Sequence, residues 1–164
     1  MNGYFELLNV IKTSLDNGNV INTVLTSDTV DGFDLDKKNV YPVAMIDVDT
    51  GVFTMPATNY NVVVSVLDIA DISNNQITNK FLGNSNKIDI YNNLHGVLRR
   101  LYNEIKEDKY TKDFNIIGEP SLQKIERGTN LAYGWELTFI VEVPDDVISI
   151  CDNVFDDTFD NTFN

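Results

Sequence analysis

The chain has 164 residues, of which 43% are hydrophobic, and this is enough for one domain with a substantial core. Its 25 acidic residues against 12 basic ones give a net charge of -13, which repels phosphate groups and argues against sequence-independent binding to nucleic acids or anionic membranes. The single cysteine, Cys151, excludes an internal disulfide and a cysteine-rich zinc site.

The chain begins with a helical pattern and continues with a short strand. Residues 4–15 predict an amphipathic helix, because their apolar side chains recur at spacings of three and four. The members of this stripe are Phe5, Leu8, Ile11 and Leu15. The β-branched segment 20–28 predicts a strand, and the polar, turn-rich segment 29–39 predicts a loop.

Two further strands are predicted in the first half of the chain. Segments 40–48 and 59–71 are dominated by Val, Ile and Tyr, which favour strands. Pro42 stands near the start of the first segment, where it removes no hydrogen bond from the middle of a sheet. The Asn-rich segment 73–85 predicts a connection, with room for a short helix over residues 74–82.

The clearest helix is predicted over residues 86–108, with Ser85 or Asn86 as its N-cap. Its apolar stripe runs along the whole segment and consists of Ile88, Tyr91, Leu94, Leu98, Leu101 and Ile105. Gly96 inside this helix costs roughly 1 kcal/mol relative to alanine. We therefore expect another backbone to pack closely against Gly96.

Residues 118–144 predict a β-hairpin that completes the fold. In its second arm, apolar and polar residues alternate without a break from Trp135 to Val143, and this predicts a half-buried strand. Gly134 suits a bend or bulge at the start of that strand, and Pro144 ends it. The order α-β-β-β-α-β-β predicts one α+β domain over residues 1–151, with a mostly antiparallel sheet packed by an N-terminal helix and one long helix.

Asp47 and Asp49 are the residues most suggestive of chemistry, and strand alternation places both on the wetter face of the sheet. An EF-hand calcium loop starting at Asp47 would need a glycine and a glutamate at positions where this chain has neither. The triplet Asp49-Thr50-Gly51 matches only one half of an aspartic protease site. We interpret the triplet as a turn at the end of a strand. The alternative is a small metal-dependent or aspartic hydrolase that uses Asp47 and Asp49.

His95 and Cys151 lack the neighbours that catalysis or metal binding would need. His95, the only histidine, has no Cys, Asp or Glu four residues before or after it, so a structural or interfacial role is favoured. Cys151 stands among aspartates, which disfavour a reactive thiolate. We therefore predict no catalytic residue, no metal, no cofactor and no enzymatic activity.

Basic residues are concentrated in one part of the chain. Seven of the 12 lie close together in the sequence: Arg99, Arg100, Lys106, Lys109, Lys112, Lys124 and Arg127. We predict that they form a positive face, which meets an acidic partner or the acidic part of an identical neighbour. Arg99 and Arg100 are the candidate partner-binding residues of this face.

The final segment, residues 152–164, is acidic and carries three phenylalanines four residues apart, Phe155, Phe159 and Phe163. One interpretation is an acidic tail that frays from the domain. We favour the other interpretation, in which the aromatic side chains dock on a neighbouring chain.

Four segments in their order along the chain resemble a family of small virion proteins of tailed bacteriophages. They are VYPVAMIDV, NVVVSVLDIAD, NNLHGVLRRLY, and the hairpin with ISIC behind it. The family consists of ring and tail-terminator-like proteins of the neck and tail, and the resemblance is to those of crAss-like phages. It covers residues 1–151, and its most specific parts are LDIAD, VLRRLY and the N-x-x-x-G-W motif of Asn130, Gly134 and Trp135.

The resemblance implies a non-catalytic virion protein that forms an oligomeric ring, joins portal-side and tail-side components, and lines the DNA passage. Its partners would be further copies of the chain, the portal and other neck or tail proteins, and passing DNA that an acidic lumen does not hold tightly. We expect synthesis in the cytoplasm of the bacterial host and location in the virion, away from membranes. The first residues also lack the features of a signal peptide. A host-directed acidic binding module is a further alternative.

Overall fold

The computed structural model describes residues 3–28, 38–71, 81, 85–107, 109, 110, 113–127 and 131–144. Its helices within these residues are α1 (Gly3–Asp16) and α2 (Lys87–Lys106), and a 3-10 turn spans Lys38–Val40. Its strands are β1 (Thr23–Thr26), β2 (Val43–Thr54), β3 (Ala57–Ile69), β4 (Asn115–Arg127) and β5 (Ala132–Pro144). The predicted order of helices and strands is confirmed. The short helix expected over residues 74–82 lies outside the described residues, apart from residue 81.

The strands form one sheet in the order β1-β2-β3-β5-β4, in which β1 is parallel to β2 and all other pairs are antiparallel. The alternation predicted for β5 is confirmed, since Phe139 and Val141 are buried and Ile140 between them is exposed. Pro42 immediately precedes β2 and Pro144 ends β5, as predicted. The mostly antiparallel α+β fold is therefore confirmed.

Both helices cover the same face of the sheet, and the main hydrophobic core lies between them and the strands. Its fully buried side chains include Leu7, Ile11 and Leu15 of α1, Leu94, Leu98 and Leu101 of α2, and Val62 and Val64 of β3. Each such side chain stabilises the fold by about 1.5–3 kcal/mol through its removal from water. A smaller cluster on the other face of the sheet consists of Leu25, Val43, Met45, Leu67 and Ala132.

Each helix leaves the first residue of its predicted stripe in solvent. Phe5 is 55% exposed and Ile88 is 44% exposed, whereas Leu7 and Ile90 are buried. Successive residues are about 100° apart around an α-helix. The buried face of each helix is therefore centred well away from Phe5 and Ile88, and only the later members of the predicted stripes belong to the core.

Two expectations for α2 are corrected by the structure. Asn86 occupies the N-cap position, but its side chain makes no capping hydrogen bond. Its Oδ1 instead accepts a hydrogen bond of 2.7 Å from the backbone N–H of Asp71, which connects the segment after β3 to the start of α2. Gly96 is exposed, and a Cβ at this position would meet no atom within 4 Å. The expectation that another backbone packs against Gly96 is therefore wrong.

The triplet at residues 49–51 lies inside β2, so its interpretation as a turn is wrong. β2 continues to Thr54 before the chain turns into β3. The register with β3 shifts between Val48 and Thr50, and Asp49 is the extra residue of a β-bulge. The polar and glycine residues that favour turns also suit a bulge, because both interrupt the regular ladder of hydrogen bonds.

The prediction of a bend or bulge at Gly134 is wrong. The β-bulge of the β4–β5 hairpin lies in β4 instead. Gly134 is paired in regular register with both neighbouring strands. A Cβ at this position would lie 1.7 Å from the backbone oxygen of Val66, so β3 passes too close for any side chain. The register shift lies between Ile117 and Ser121, where Gly118 has a φ of 72°.

A buried carboxylate, Glu104 of α2, connects the two helices with the segment that follows α2. It accepts hydrogen bonds from the hydroxyls of Ser14 in α1 and of Tyr110, and it forms an ion pair with Lys109. Burial acts to raise the pKa of Glu104, but the hydrogen bonds from Lys109, Ser14 and Tyr110 outweigh it and hold the pKa below its usual range. The ionised form of Glu104 therefore stabilises the fold.

Replacing Glu104 with glutamine is expected to lower the free energy of unfolding by about 2 kcal/mol at neutral pH, because an amide cannot serve all three donors. The unfolded pKa of glutamate is about 4.3, and the folded value is lower. The stabilisation is therefore complete above the unfolded pKa and is lost as the pH falls through the folded one. Urea unfolding at neutral pH and at about pH 3 measures this loss as a shrinking difference between variant and unaltered protein.

Glu107→Gln is the matched control for this experiment. Glu107 is exposed and lies one residue beyond α2. Its substitution is expected to change the free energy of unfolding by less than about 0.5 kcal/mol. A destabilisation by Glu104→Gln that is the same at both pH values would contradict the role assigned to the carboxylate.

Candidate assembly surface

Asp47 and Asp49 are both described by the structure, and each has its own hydrogen-bond partners. Asp47 is half-buried on the sheet face opposite the helices and accepts a hydrogen bond of 2.7 Å from the hydroxyl of Ser27. Asp49 is exposed and accepts a hydrogen bond of 2.7 Å from the side-chain amide of Asn61. The two carboxylates therefore do not form a pair that shares a proton, which is what aspartic protease catalysis requires.

The sheet face opposite the helices contains a cavity of about 290 Å³, whose charged lining residues are Asp47, Glu136 and Arg127. Glu136 accepts hydrogen bonds from the hydroxyl of Ser65 at 3.0 Å and from the side-chain amide of Gln123 at 2.6 Å. Among the described residues, no group of His, Cys, Asp or Glu is placed to hold a metal ion. The carboxylates of this cavity are thus engaged with neutral donors of the sheet itself.

His95 and Trp135 form an aromatic contact between α2 and β5. Their rings are 5.9 Å apart in an edge-to-face arrangement. The indole N–H of Trp135 donates a hydrogen bond of 2.8 Å to the backbone oxygen of Tyr91. Trp135 therefore fixes α2 on the sheet, and the exposed His95 lies beside it on the surface.

The two predicted partner-binding arginines lie in different environments. Arg99 is exposed, with its guanidinium 5.8 Å from the ring centre of Tyr102. Arg100 is half-buried and donates a hydrogen bond of 2.8 Å to the backbone oxygen of Ser14, which holds the end of α1 against α2. Of the pair, Arg99 is the one whose charge faces solvent.

The other basic residues of the predicted positive face are only partly available to a partner. Lys109 is paired with Glu104, and Lys124 lies 4.4 Å from the ring centre of Tyr91. Lys112 lies outside the described residues, as do Cys151 and the docking residues predicted in the final segment, Phe155, Phe159 and Phe163.

The two most exposed large apolar side chains among the described residues, Met55 and Phe53, lie at the end of the β2–β3 hairpin. We call residues 50–56 the hairpin tip. Phe53 is 90% exposed, Val52 is 59% exposed, and Met55 is fully exposed. No residue from Thr50 to Leu67 is charged, although the chain carries a net charge of -13. The sequence interpretation missed this surface, and the long uncharged stretch that continues beyond the buried strand is the signal that indicates it.

The hairpin tip also includes an open edge of the sheet. β1 pairs with residues 43–46 of β2, and among the described residues no strand pairs with that side of β2 beyond Ile46. Proteins usually protect an exposed edge with charged side chains, prolines or bulges, and an unprotected apolar edge is a template for pairing with another chain. The bulge and the two charged residues of this edge, Asp47 and Asp49, precede the hairpin tip, and strand residues 50–54 carry no charge and no proline. The hairpin tip therefore has the properties of a contact surface.

Comparison of the chain with known protein families and with curated proteins finds no match. Among the described residues, neither helix combines the length and the apolar character that crossing a bilayer requires.

Proposed function

We propose that this protein is a structural subunit that associates with copies of itself through the hairpin tip. The observation that supports the proposal is an uncharged, apolar and exposed hairpin tip on an otherwise acidic subunit. Exposed apolar patches of this kind mark interaction sites. Self-association would remove Phe53 and Met55 from water, and this provides a driving force for assembly.

Charge distribution also favours the hairpin tip as the place of contact. Two copies with a net charge of -13 each repel one another over distances of about 8–10 Å in salt. A contact made by residues 50–56 brings no carboxylate from this segment into the interface, so it adds no buried charge. A contact between the more acidic surfaces would have to overcome that repulsion.

The sheet topology permits the head-to-tail contact that a ring requires. One edge of the sheet is formed by β1 with the outer part of β2, and the other edge is formed by β4. A contact between these different edges is heterologous, and repeated heterologous contacts form a closed ring or an open filament. The long, exposed β4 provides a second surface for such a contact.

We further propose that the ring belongs to the neck or tail of a phage virion and acts as an adaptor between portal-side and tail-side components. The resemblance of residues 1–151 to ring and tail-terminator-like proteins supports this location. A strongly acidic subunit is also compatible with a channel that DNA crosses without binding tightly, because like charges repel.

Mass measurement and negative-stain imaging of the purified chain test this function. We expect closed rings, either from the chain alone or after mixing with portal-side and tail-side components of the same virion. Imaging the chain in both conditions also separates rings from open filaments. Particles that remain monomeric in both conditions would overturn the proposal.

A further inference from the structure

A groove between α2 and β4 has the shape and lining of a site for one aromatic side chain. Its apolar surfaces are formed by Leu98 and Tyr102 of α2, Pro120 and Leu122 of β4, and Leu137 of β5. Its volume is about 160 Å³. A cavity of about 150 Å³ accommodates a benzene molecule. The groove is therefore large enough for one phenyl ring.

The rim of the groove is basic. Arg99 and His95 line it directly, and Lys106 lies 5.7 Å from the same Tyr102 ring that Arg99 approaches. Neither Arg99 nor Lys106 forms an ion pair with any of the described residues. Two carboxylates are adjacent in sequence to lining residues: Glu119 is exposed beside Pro120, and Glu136, beside Leu137, lies on the opposite face of the sheet. Charge on α2 is thus available to an acidic ligand that also carries an aromatic ring.

Residues 152–164 of this chain combine these two properties. Phe155 and Phe159 are each followed directly by an aspartate, and the segment contains no basic residue. We propose that residues 152–164 of an adjacent copy bind in the groove, with a phenylalanine ring against the exposed side chain of Leu122 and its neighbouring carboxylate close to Arg99. This inference rests on the proposed self-association.

The expected strength of this contact explains how it would act. Burial of one phenyl ring together with exposed charge contacts gives a dissociation constant on the order of 1 mM. Tethering within an assembly provides an effective concentration that is also on the order of 1 mM. The contact is therefore weak between free copies and substantially occupied between neighbours in a ring, so that it reinforces an assembly held by other surfaces.

A complementation experiment tests the inference, because the chain has a single histidine and that histidine lines the groove. The observed copy carries isotope-labelled histidine and the substitutions Phe155→Ser, Phe159→Ser and Phe163→Ser. The added, unlabelled copy carries Arg99→Glu and an unaltered final segment. These substitutions allow only the final segment of the added copy and the groove of the observed copy to bind each other, and this binding is expected to shift the His95 resonance.

We expect the His95 signal to shift saturably with added copy, with half-saturation on the order of 1 mM and several-fold weaker binding at high salt. The control is an added copy that carries both Arg99→Glu and the three serine substitutions, which should produce no shift. Adding Arg99→Glu to the observed copy should abolish the shift. Arg127→Glu in the observed copy is the matched charge control, since Arg127 is exposed and does not line the groove.

Two results would overturn the inference. No shift in the mixture, together with different His95 signals for the unaltered chain and its serine variant, would show that the segment binds its own subunit. If the His95 signal is the same in the mixture, in the unaltered chain and in its serine variant, the groove is not the binding site of the final segment. The outcome is independent of ring formation, because rings can form through the hairpin tip when the groove is empty. Mass measurement on the same samples reports the proposed function separately.

Discussion

Replacing Gly134 with alanine is expected to lower the free energy of unfolding by roughly 3 kcal/mol, because overpacking of this size strains the surrounding structure. The new Cβ would lie 1.7 Å from the backbone oxygen of Val66 and 3.0 Å from Cα of Leu67. Both atoms belong to β3, which is hydrogen-bonded on both sides, so the strand cannot move away alone. The melting temperature should fall by roughly 6–12 °C.

Gly96→Ala is the matched control, with an expected effect of opposite sign. Gly96 lies in the exposed part of α2, and a Cβ there meets nothing within 4 Å. The substitution should raise the free energy of unfolding by about 0.5–1 kcal/mol, because alanine has the higher helix propensity. Thermal unfolding of both variants under the same conditions measures the two opposite changes in stability. A melting temperature for Gly134→Ala equal to that of the unaltered protein would show that β3 adapts at no cost.

The predictions that succeeded concern segments in which the alternation or helical spacing of apolar residues continues over many residues and one face is buried along the whole segment. In β5, alternation persists from Trp135 to Val143 because the strand lies between two others with the helices on one face. The sequence therefore reports the burial of β5 directly. The buried face of α2 was predicted over Leu94, Leu98 and Leu101 for the same reason, and it was wrong at Ile88, in the first turn of the helix.

The predictions that failed depend on the neighbouring strand. Residues 49–51 have the composition of a turn, and only the pairing with β3 turns them into a bulge. Gly134 was expected to mark a bend, whereas the close approach of Val66 is the reason for glycine at this position. Neither the register of a partner strand nor the distance between two backbones can be read from the local sequence.

In the candidate assembly surface, too, the residue types could be read from the sequence, whereas the exposure of each residue depends on the three-dimensional structure. Arg99 and Arg100 are adjacent in the sequence, but on a helix they point about 100° apart, and only Arg99 faces solvent. The residues of the hairpin tip resemble those of an ordinary buried strand. The structure shows these residues exposed, on the part of β2 that lies beyond its pairing with β1 at Ile46.

Phe53→Asp is expected to raise the dissociation constant for self-association at least about 30-fold, which corresponds to the loss of a contact worth about 2 kcal/mol. The substitution removes the most exposed ring of the hairpin tip and introduces a charge into a surface that has none. The fold itself should keep its stability to within about 0.5 kcal/mol, because a side chain that is 90% exposed contributes little to the core. Sedimentation velocity over a range of concentrations measures the association, and urea unfolding measures the stability.

Ile88→Asp is the matched control, since Ile88 is also an exposed apolar residue and the substitution adds the same charge. Ile88 lies in the first turn of α2, where an added carboxylate is compatible with the helix dipole. The control site and the hairpin tip are at opposite ends of β5. Lys87, beside Ile88, contacts the ring of Tyr133 near the start of β5, and Ala57, beside the hairpin tip, pairs with Pro144 at its end.

Equal weakening of self-association by both variants would mean that net charge governs assembly. If the Phe53→Asp variant assembles at the same protein concentration as the unaltered chain, the hairpin tip is excluded as the contact surface. Weakening by Phe53→Asp alone would identify the open edge of β2 as the surface through which copies meet.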